Sequence, residues 1–202
     1  MKELSRAQEI DRSIIREFRV SIWNAFTKAV KTYELIQPGD RIAVCVSGGK
    51  DSMLMAKCMQ HFQKYGNIPF KLEFLCMNPG YAEENWNQIQ KNAEILQLPL
   101  RTFQTRIFEV VNKQERHPCY LCARMRRGHL YEAAKNLGCN KIALGHHFDD
   151  VIETILMGML YGSQTQTMMP KLHSANFSGM ELIRPLYFMR EADVIQWAEF
   201  HH

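Results

Sequence analysis

The stretch Ser47-Gly48-Gly49-Lys50-Asp51-Ser52 constrains this chain most, because it follows an apolar run (42–46) and opens a helix-patterned run (53–65). Strand, tight loop and helix start in that order place backbone amides at a helix N-terminus, where the dipole favours an anion. Gly48 and Gly49 tolerate unusual backbone angles and let the chain approach a ligand closely. Lys50 adds a mobile cation, and Ser47 and Ser52 add hydroxyl donors. Asp51 is out of place beside phosphates unless it holds Mg²⁺ or caps the helix. The competing reading is an ordinary Gly-rich turn with Ser52 as N-cap. The loop is not a Walker motif, since Lys50 directly follows a glycine pair and Asp51 precedes Ser52.

A chain of 202 residues, 46% hydrophobic and 23% charged, can bury one sizeable core, so one main domain is expected. No run of eighteen apolar residues occurs, and the first residues lack an apolar segment of signal-peptide length. That pattern points to a cytoplasmic protein with no membrane partner. In a reducing compartment six cysteines act as buried hydrophobes, metal ligands or reactive thiols rather than as disulfides. The net charge of +4 allows an anionic partner without requiring one.

Residues 8–36 read as a helix, with Trp23, Phe26, Val30 and Tyr33 at three-and-four spacing, stopped by Pro38-Gly39-Asp40. Residues 1–40 are thus expected to form a helical arm added to a nucleotide-binding domain spanning 41–202. Its basic residues suit a solvated face better than an RNA contact. Strands are expected at 72–77, 100–105 and 141–144, and helices at 82–96, 107–114, 124–137, 149–161 and 191–200. Strands alternating with helices predict an α/β fold, a Rossmann-like parallel sheet flanked by helices, with ligands outside the carboxyl ends of the strands. Residues 162–184 read as loop-rich with a hairpin around Phe177-Ser178-Gly179.

Two further groups lie near that edge. Gly145-His146-His147-Phe148-Asp149-Asp150 directly follows a strand. Asp149 is the natural N-cap of the next helix, with His146 and His147 in a solvated loop. Alternatively, Gly145 admits an adenosine and Asp150 contacts ribose, amine or Mg²⁺. Cys119-Tyr120-Leu121-Cys122 can bind one metal or form a redox pair beside a helix start at Arg124. A zinc ribbon needs a second pair, whereas Cys45, Cys58, Cys76 and Cys139 are isolated within or beside core elements. Arg124, Arg126 and Arg127, with Arg116 upstream, form the densest cationic cluster and suit phosphates of ATP or of an RNA backbone.

The hexapeptide at 47–52 resembles the signature of the PP-loop ATP pyrophosphatases, which adenylate a carbonyl oxygen with release of pyrophosphate. The CxxC with residues 124–131, the segment 141–150, and the run from Tyr161-Gly162 through Met169-Pro170-Lys171-Leu172 to Ile183-Arg184-Pro185-Leu186 narrow the resemblance to tRNA 2-thiolation enzymes. It is most similar to the 2-thiocytidine (TtcA) family; the related TtuA type carries an N-terminal zinc finger, and residues 1–40 contain no cysteine. The resemblance implies ATP contacts at Cys45, Ser47, Gly48, Gly49, Lys50, Asp51, Ser52, Met77, Arg126, Gly145 and Asp150. It also implies catalytic roles for Lys50, Asp51, Cys119 and Cys122, with Asp51 as the Mg²⁺ ligand. Cys119 and Cys122 would hold a 4Fe-4S iron–sulfur cluster whose third cysteine ligand is absent from this chain, which would lack the family's C-terminal segment. Implied partners are tRNA, a sulfur donor (a persulfide protein or sulfide) and a second copy in a homodimer. The segment 78–84 matches that family less well. Two other readings stand beside it: a PP-loop enzyme using nitrogen, such as a lysidine synthetase or amide ligase, and a non-catalytic ATP- and metal-binding redox module.

Overall fold

The computed structural model describes residues 4–111, 118–162 and 167–201. Its centre is a six-stranded sheet of β1 (Arg41–Cys45), β2 (Lys71–Asn78), β3 (Leu100–Gln104), β4 (Lys141–Ala143), β5 (Lys171–His173) and β6 (Glu181–Ile183). The spatial order is β3-β2-β1-β4-β6-β5, and only β5 runs antiparallel, paired to β6. Ile42, Ala43 and Val44 of β1 are fully buried, as a strand covered on both faces requires. From β1 the chain builds outward through β2 and β3, then returns to place β4 on the other side of β1. That reversal opens a crevice at the carboxyl ends of β1 and β4.

The parallel sheet is as expected, apart from the antiparallel edge formed by the hairpin around 177–179. Ser174 Oγ accepts from Phe177 N at 3.2 Å, and Gly179 takes φ +76, so the turn needs that glycine.

The single helix expected over 8–36 is three pieces: α1 (Arg6–Ile15), a π-helical segment Arg19–Asn24, and α2 (Ala25–Thr32). On a straight α-helix Ile22 would sit about 80° around from Ile14. With the non-α segment between them, both are fully buried. These helices enter the same core cluster as β1 and α3 (Lys50–Tyr65). Lys57 of α3, 1% exposed, meets Asp11 of α1 at 2.8 Å and the Leu96 carbonyl at 3.1 Å.

The remaining helices are α4 (Glu83–Ile95), α5 (Ile107–Val111), α6 (Pro118–Asn136), α7 (Phe148–Tyr161) and α8 (Glu191–Phe200). Two helix starts differ from expectation. α3 begins at Lys50, so Ser52 lies inside its first turn, and the N-cap is Gly49, with no side-chain cap. α6 begins at Pro118 rather than Arg124, because proline suits a first helical position; the CxxC therefore lies within the helix instead of ahead of it. The expected helix 107–114 runs partly beyond the described residues, as does Arg116. No helix among the described residues is long and apolar enough to cross a membrane.

Candidate functional site

The loop between β1 and α3 is shaped by Gly48, whose φ of +94 and whose neighbours both exclude a side chain. A Cβ there would meet Ile89 Cγ1 of α4 at 2.4 Å. Ser52 Oγ accepts from Ser47 N at 3.1 Å and donates to the Gly49 carbonyl at 2.9 Å, which ties the loop across its mouth. Ser52 thus holds the loop closed rather than capping the helix. With no side-chain cap, the first amides of α3 are available to an anion.

Beside this loop lies a cleft of about 380 Å³, within the range of small-ligand sites. Cys45, Ser47, Asp51, Ser52, Met77, Arg126, Gly145 and Asp150 all line it, drawn from four separate segments of the chain. Gly48, Gly49 and Lys50 do not. The Lys50 ammonium lies 3.1 Å from Glu191 of α8 and 3.3 Å from Asp51. Burial pulls the Lys50 pKa down, but the hydrogen bond to Glu191 and the charge of Asp51 outweigh it, leaving it raised. Asp51 Oδ1 is buried and accepts no aligned hydrogen bond, although Lys50 is within ion-pair reach. A carboxylate oxygen left so suits a cation, and Asp51 therefore fits the role of a Mg²⁺ ligand.

Gly145 lines the cleft and also makes a second contact. A Cβ there would stand 3.2 Å from the backbone of Asp51 and Ser52, so the absent side chain lets the β4–α7 loop rest on the start of α3. Asp149 is not the N-cap of α7. That cap is His147, 5% exposed, whose Nδ1 faces Asp150 N at 3.4 Å while Asp150 Oδ2 accepts from His147 N at 2.8 Å. Asp149 instead accepts from Glu191 N at 2.7 Å, joining α7 to α8, and that hydrogen bond holds its pKa below the usual carboxylate range. His147 Nε2 lies 3.8 Å from Asp51, so one imidazole stands between both acids. His146 lines the cleft with Nδ1 buried and unpartnered; burial, then the charge of Arg184, lowers its pKa. Arg184 is 7% exposed, and burial, reinforced by Arg127, brings its pKa down to about 10.

α6 supplies the cationic wall. Arg126 and Arg127 line the cleft, whereas Arg124 is exposed and stands off it. Tyr81 fixes Arg126 through a 3.0 Å hydrogen bond from the guanidinium to its hydroxyl. Tyr81 is held in turn by Asn78 Oδ1, which accepts from its amide at 2.8 Å. Cys122 is half-buried against the Met77, Ile107 and Val111 cluster, one residue from Ala123 on the cleft wall. The Cys119 side chain lies outside the described residues. Three positions apart on one helix, the pair suits two ligand positions. Among the described residues, however, no three His, Cys, Asp or Glu come together to hold a metal. Cys45 is no nucleophile, because burial pushes its thiol up to about 12.

Glu191, Tyr81, Arg184 and the capping role of His147 escaped sequence reasoning. The Lys50–Glu191 contact spans 141 positions and leaves no local pattern.

The comparisons agree with this architecture. The chain is 37% identical over 182 residues to the tRNA-cytidine(32) 2-sulfurtransferase of Neisseria meningitidis serogroup A, covering 87% of this chain and 56% of that protein. It is 36% identical over 206 residues to the protein of the same name from Vibrio cholerae, covering 98% and 64%. The chain thus spans less than two thirds of the length of these curated relatives. Among solved structures, the U34-tRNA thiolase NcsA from Methanococcus maripaludis with its 4Fe-4S cluster shares the fold, with a TM-score of 0.69 and 24% identity over 87% of this chain and 61% of that one. The NH3-dependent NAD synthetase of Campylobacter jejuni shares it more distantly, with a TM-score of 0.53 and 14% identity over 96% of this chain and 72% of that one. A PP-loop domain model matches residues 20–202, and the chain belongs to the PP-loop domain family.

Proposed function

We propose that this domain uses ATP to activate the C2 oxygen of a tRNA cytidine for replacement by sulfur. One observation carries the reading: the uncapped start of α3, the buried Asp51 oxygen that accepts no aligned hydrogen bond and the Arg126–Arg127 wall share one cleft, bordered by the helix that bears the CxxC. The printed names of the relatives supply the cytidine and the sulfur.

The cytidine O2 attacks the α-phosphorus of ATP; the new O–P bond forms as the bond to the β-phosphate oxygen breaks, and pyrophosphate leaves. Hydrosulfide sulfur then adds to C2, and the former O2 departs with AMP, turning a poor leaving group into a good one. The α3 amides hold the phosphates, and Lys50 exchanges Glu191 for them, so its charge is presented as pyrophosphate forms. Arg126 and Arg127 provide charge-assisted donors along the opposite wall. Mg²⁺ held by Asp51 would offset charge on the departing pyrophosphate. His147 keeps Asp51 and Asp150 oriented. Cys119 and Cys122 would occupy two ligand positions of an iron–sulfur cluster, which supplies a site for incoming sulfur.

The test is product analysis. AMP and pyrophosphate should form from ATP only when tRNA is present, and with a sulfide source the digested tRNA should contain 2-thiocytidine by mass spectrometry. ADP and phosphate as products would overturn the reading.

A further inference from the structure

A second cleft of about 620 Å³ adjoins the nucleotide cleft, and His146 and Asp150 line both. Its long wall is one stripe of α7: Asp150, Glu153, Thr154, Met157 and Tyr161 recur at three-and-four spacing and so share a helix face. The stripe runs about 16 Å from the nucleotide cleft to its far end. Tyr161, at that far end, is 81% exposed.

The two clefts differ in charge. The nucleotide cleft carries Arg126 and Arg127, whereas the described residues lining the second include Asp150 and Glu153 and neither lysine nor arginine. Asp150 interacts with Arg184, but Glu153 has no lysine or arginine beside it in this lining, and carboxylates so placed disfavour a phosphate. They favour instead an uncharged planar ring that donates N–H bonds, with the Met157 thioether one turn along to pack on. Among pyrimidines, cytosine presents an exocyclic amino group, which a carboxylate accepts from, while uracil presents a carbonyl at that position, which a carboxylate repels.

We infer that this second cleft receives the acceptor base, and that Glu153, with Asp150, selects a base bearing an exocyclic amino group over one bearing a carbonyl. This rests on the thiolation reading and goes beyond it by assigning the base site and the residue that sets its specificity. The shared wall of His146 and Asp150 is where the base would meet the α-phosphate.

The experiment measures tRNA-dependent pyrophosphate release by the full 202-residue chain, using tRNA with cytidine or uridine at position 32, the position in the relatives' name. Glu153→Gln and Glu153→Lys are compared with the parent. Glu153 is exposed, so both variants should fold, and an unchanged ATP-induced shift in melting temperature checks this. The parent should prefer cytidine by about tenfold or more, and Glu153→Gln should narrow that ratio several-fold, since an amide can donate to a carbonyl as well as accept. Glu153→Lys should abolish release with the cytidine tRNA. If both variants keep the parent's rate and ratio, the base-site assignment is overturned while the thiolation reading stands. No release by the parent with either tRNA would sink the reading and the base site together.

Discussion

The two ends of the central strands treat charge differently. At the amino end Lys141, 2% exposed, lies 2.8 Å from Asp40 and 3.3 Å from Glu181, and also donates to the Leu35 carbonyl at 3.1 Å. Asp40 further accepts from Asn140 at 2.7 Å, and Glu73 accepts from both Arg41 and Arg101. Among the described residues the amino end leaves Arg41 Nε buried without a hydrogen-bond partner, whereas the carboxyl end leaves three such atoms, Asp51 Oδ1, His146 Nδ1 and Arg184 Nε. A buried charge is tolerated when it is paired, and an unpaired polar atom is a standing cost unless a ligand meets it. The amino end therefore reads as structure, and the carboxyl end as a site kept ready for a ligand.

Breaking the amino end should give the largest effect. Lys141→Met leaves buried Asp40 without its cation, held only by Gln37 N and Asn140, while Glu181 keeps Lys171, and should cost about 3–5 kcal/mol in denaturant unfolding. A loss under about 1 kcal/mol would mean that the cluster is not what holds this end together.

Changing the carboxyl end should invert the outcome. Lys50→Ala and Asp51→Ala should each lower ATP turnover by about a hundredfold or more while leaving unfolding midpoints close to the parent's. A smaller and mixed effect is expected for Gly145→Ala, whose methyl group would press on the Asp51 and Ser52 backbone from 3.2 Å. It should cost about 1–3 kcal/mol and also weaken ATP binding, measurable by calorimetry.

Acid should separate the ends more gently. Burial lowers the pKa of His61, His146 and His201 below 6.5, so the unfolded chain takes up their protons first. Stability contributed by the neutral rings is full above 6.5 and declines as pH falls from there toward the lowered folded values. His146→Gln should remove part of that decline in unfolding measured across the same range. The smallest perturbation is alkylation of the native protein at pH 8. Cys122 should react, while Cys45, Cys76 and Cys139, with thiols pushed to about 12, 11 and 11 by burial, should stay unmodified.

Local pattern revealed one of these ends far better than the other. Residues 47–52 announced themselves because glycines, a lysine and a strand-to-helix transition lie together in the sequence. Arg126 and Arg127 stood out by density. The amino-end cluster left no trace, since Asp40, Lys141 and Glu181 are far apart in the chain and each looks like an ordinary surface charge. His147 was missed as a cap because histidine rarely serves as one, whereas Asp149, a usual capping residue, was drawn away to the Glu191 amide. Gly145 was read as room for a ligand, and its close approach to the backbone of α3 went unseen. Except for His147, whose capping partner Asp150 is three residues away, the deciding partner is remote in sequence and meets the residue only after the sheet forms.

The central claim is that the carboxyl end binds ATP and the amino end does not respond to it. Hydrogen–deuterium exchange of this chain, with and without ATP and Mg²⁺, tests that most directly. Protection should rise at 47–52, 123–131 and 145–150, with no change at 37–41, 140–141 or 181. Protection at the amino end, or none at 47–52, would contradict the account.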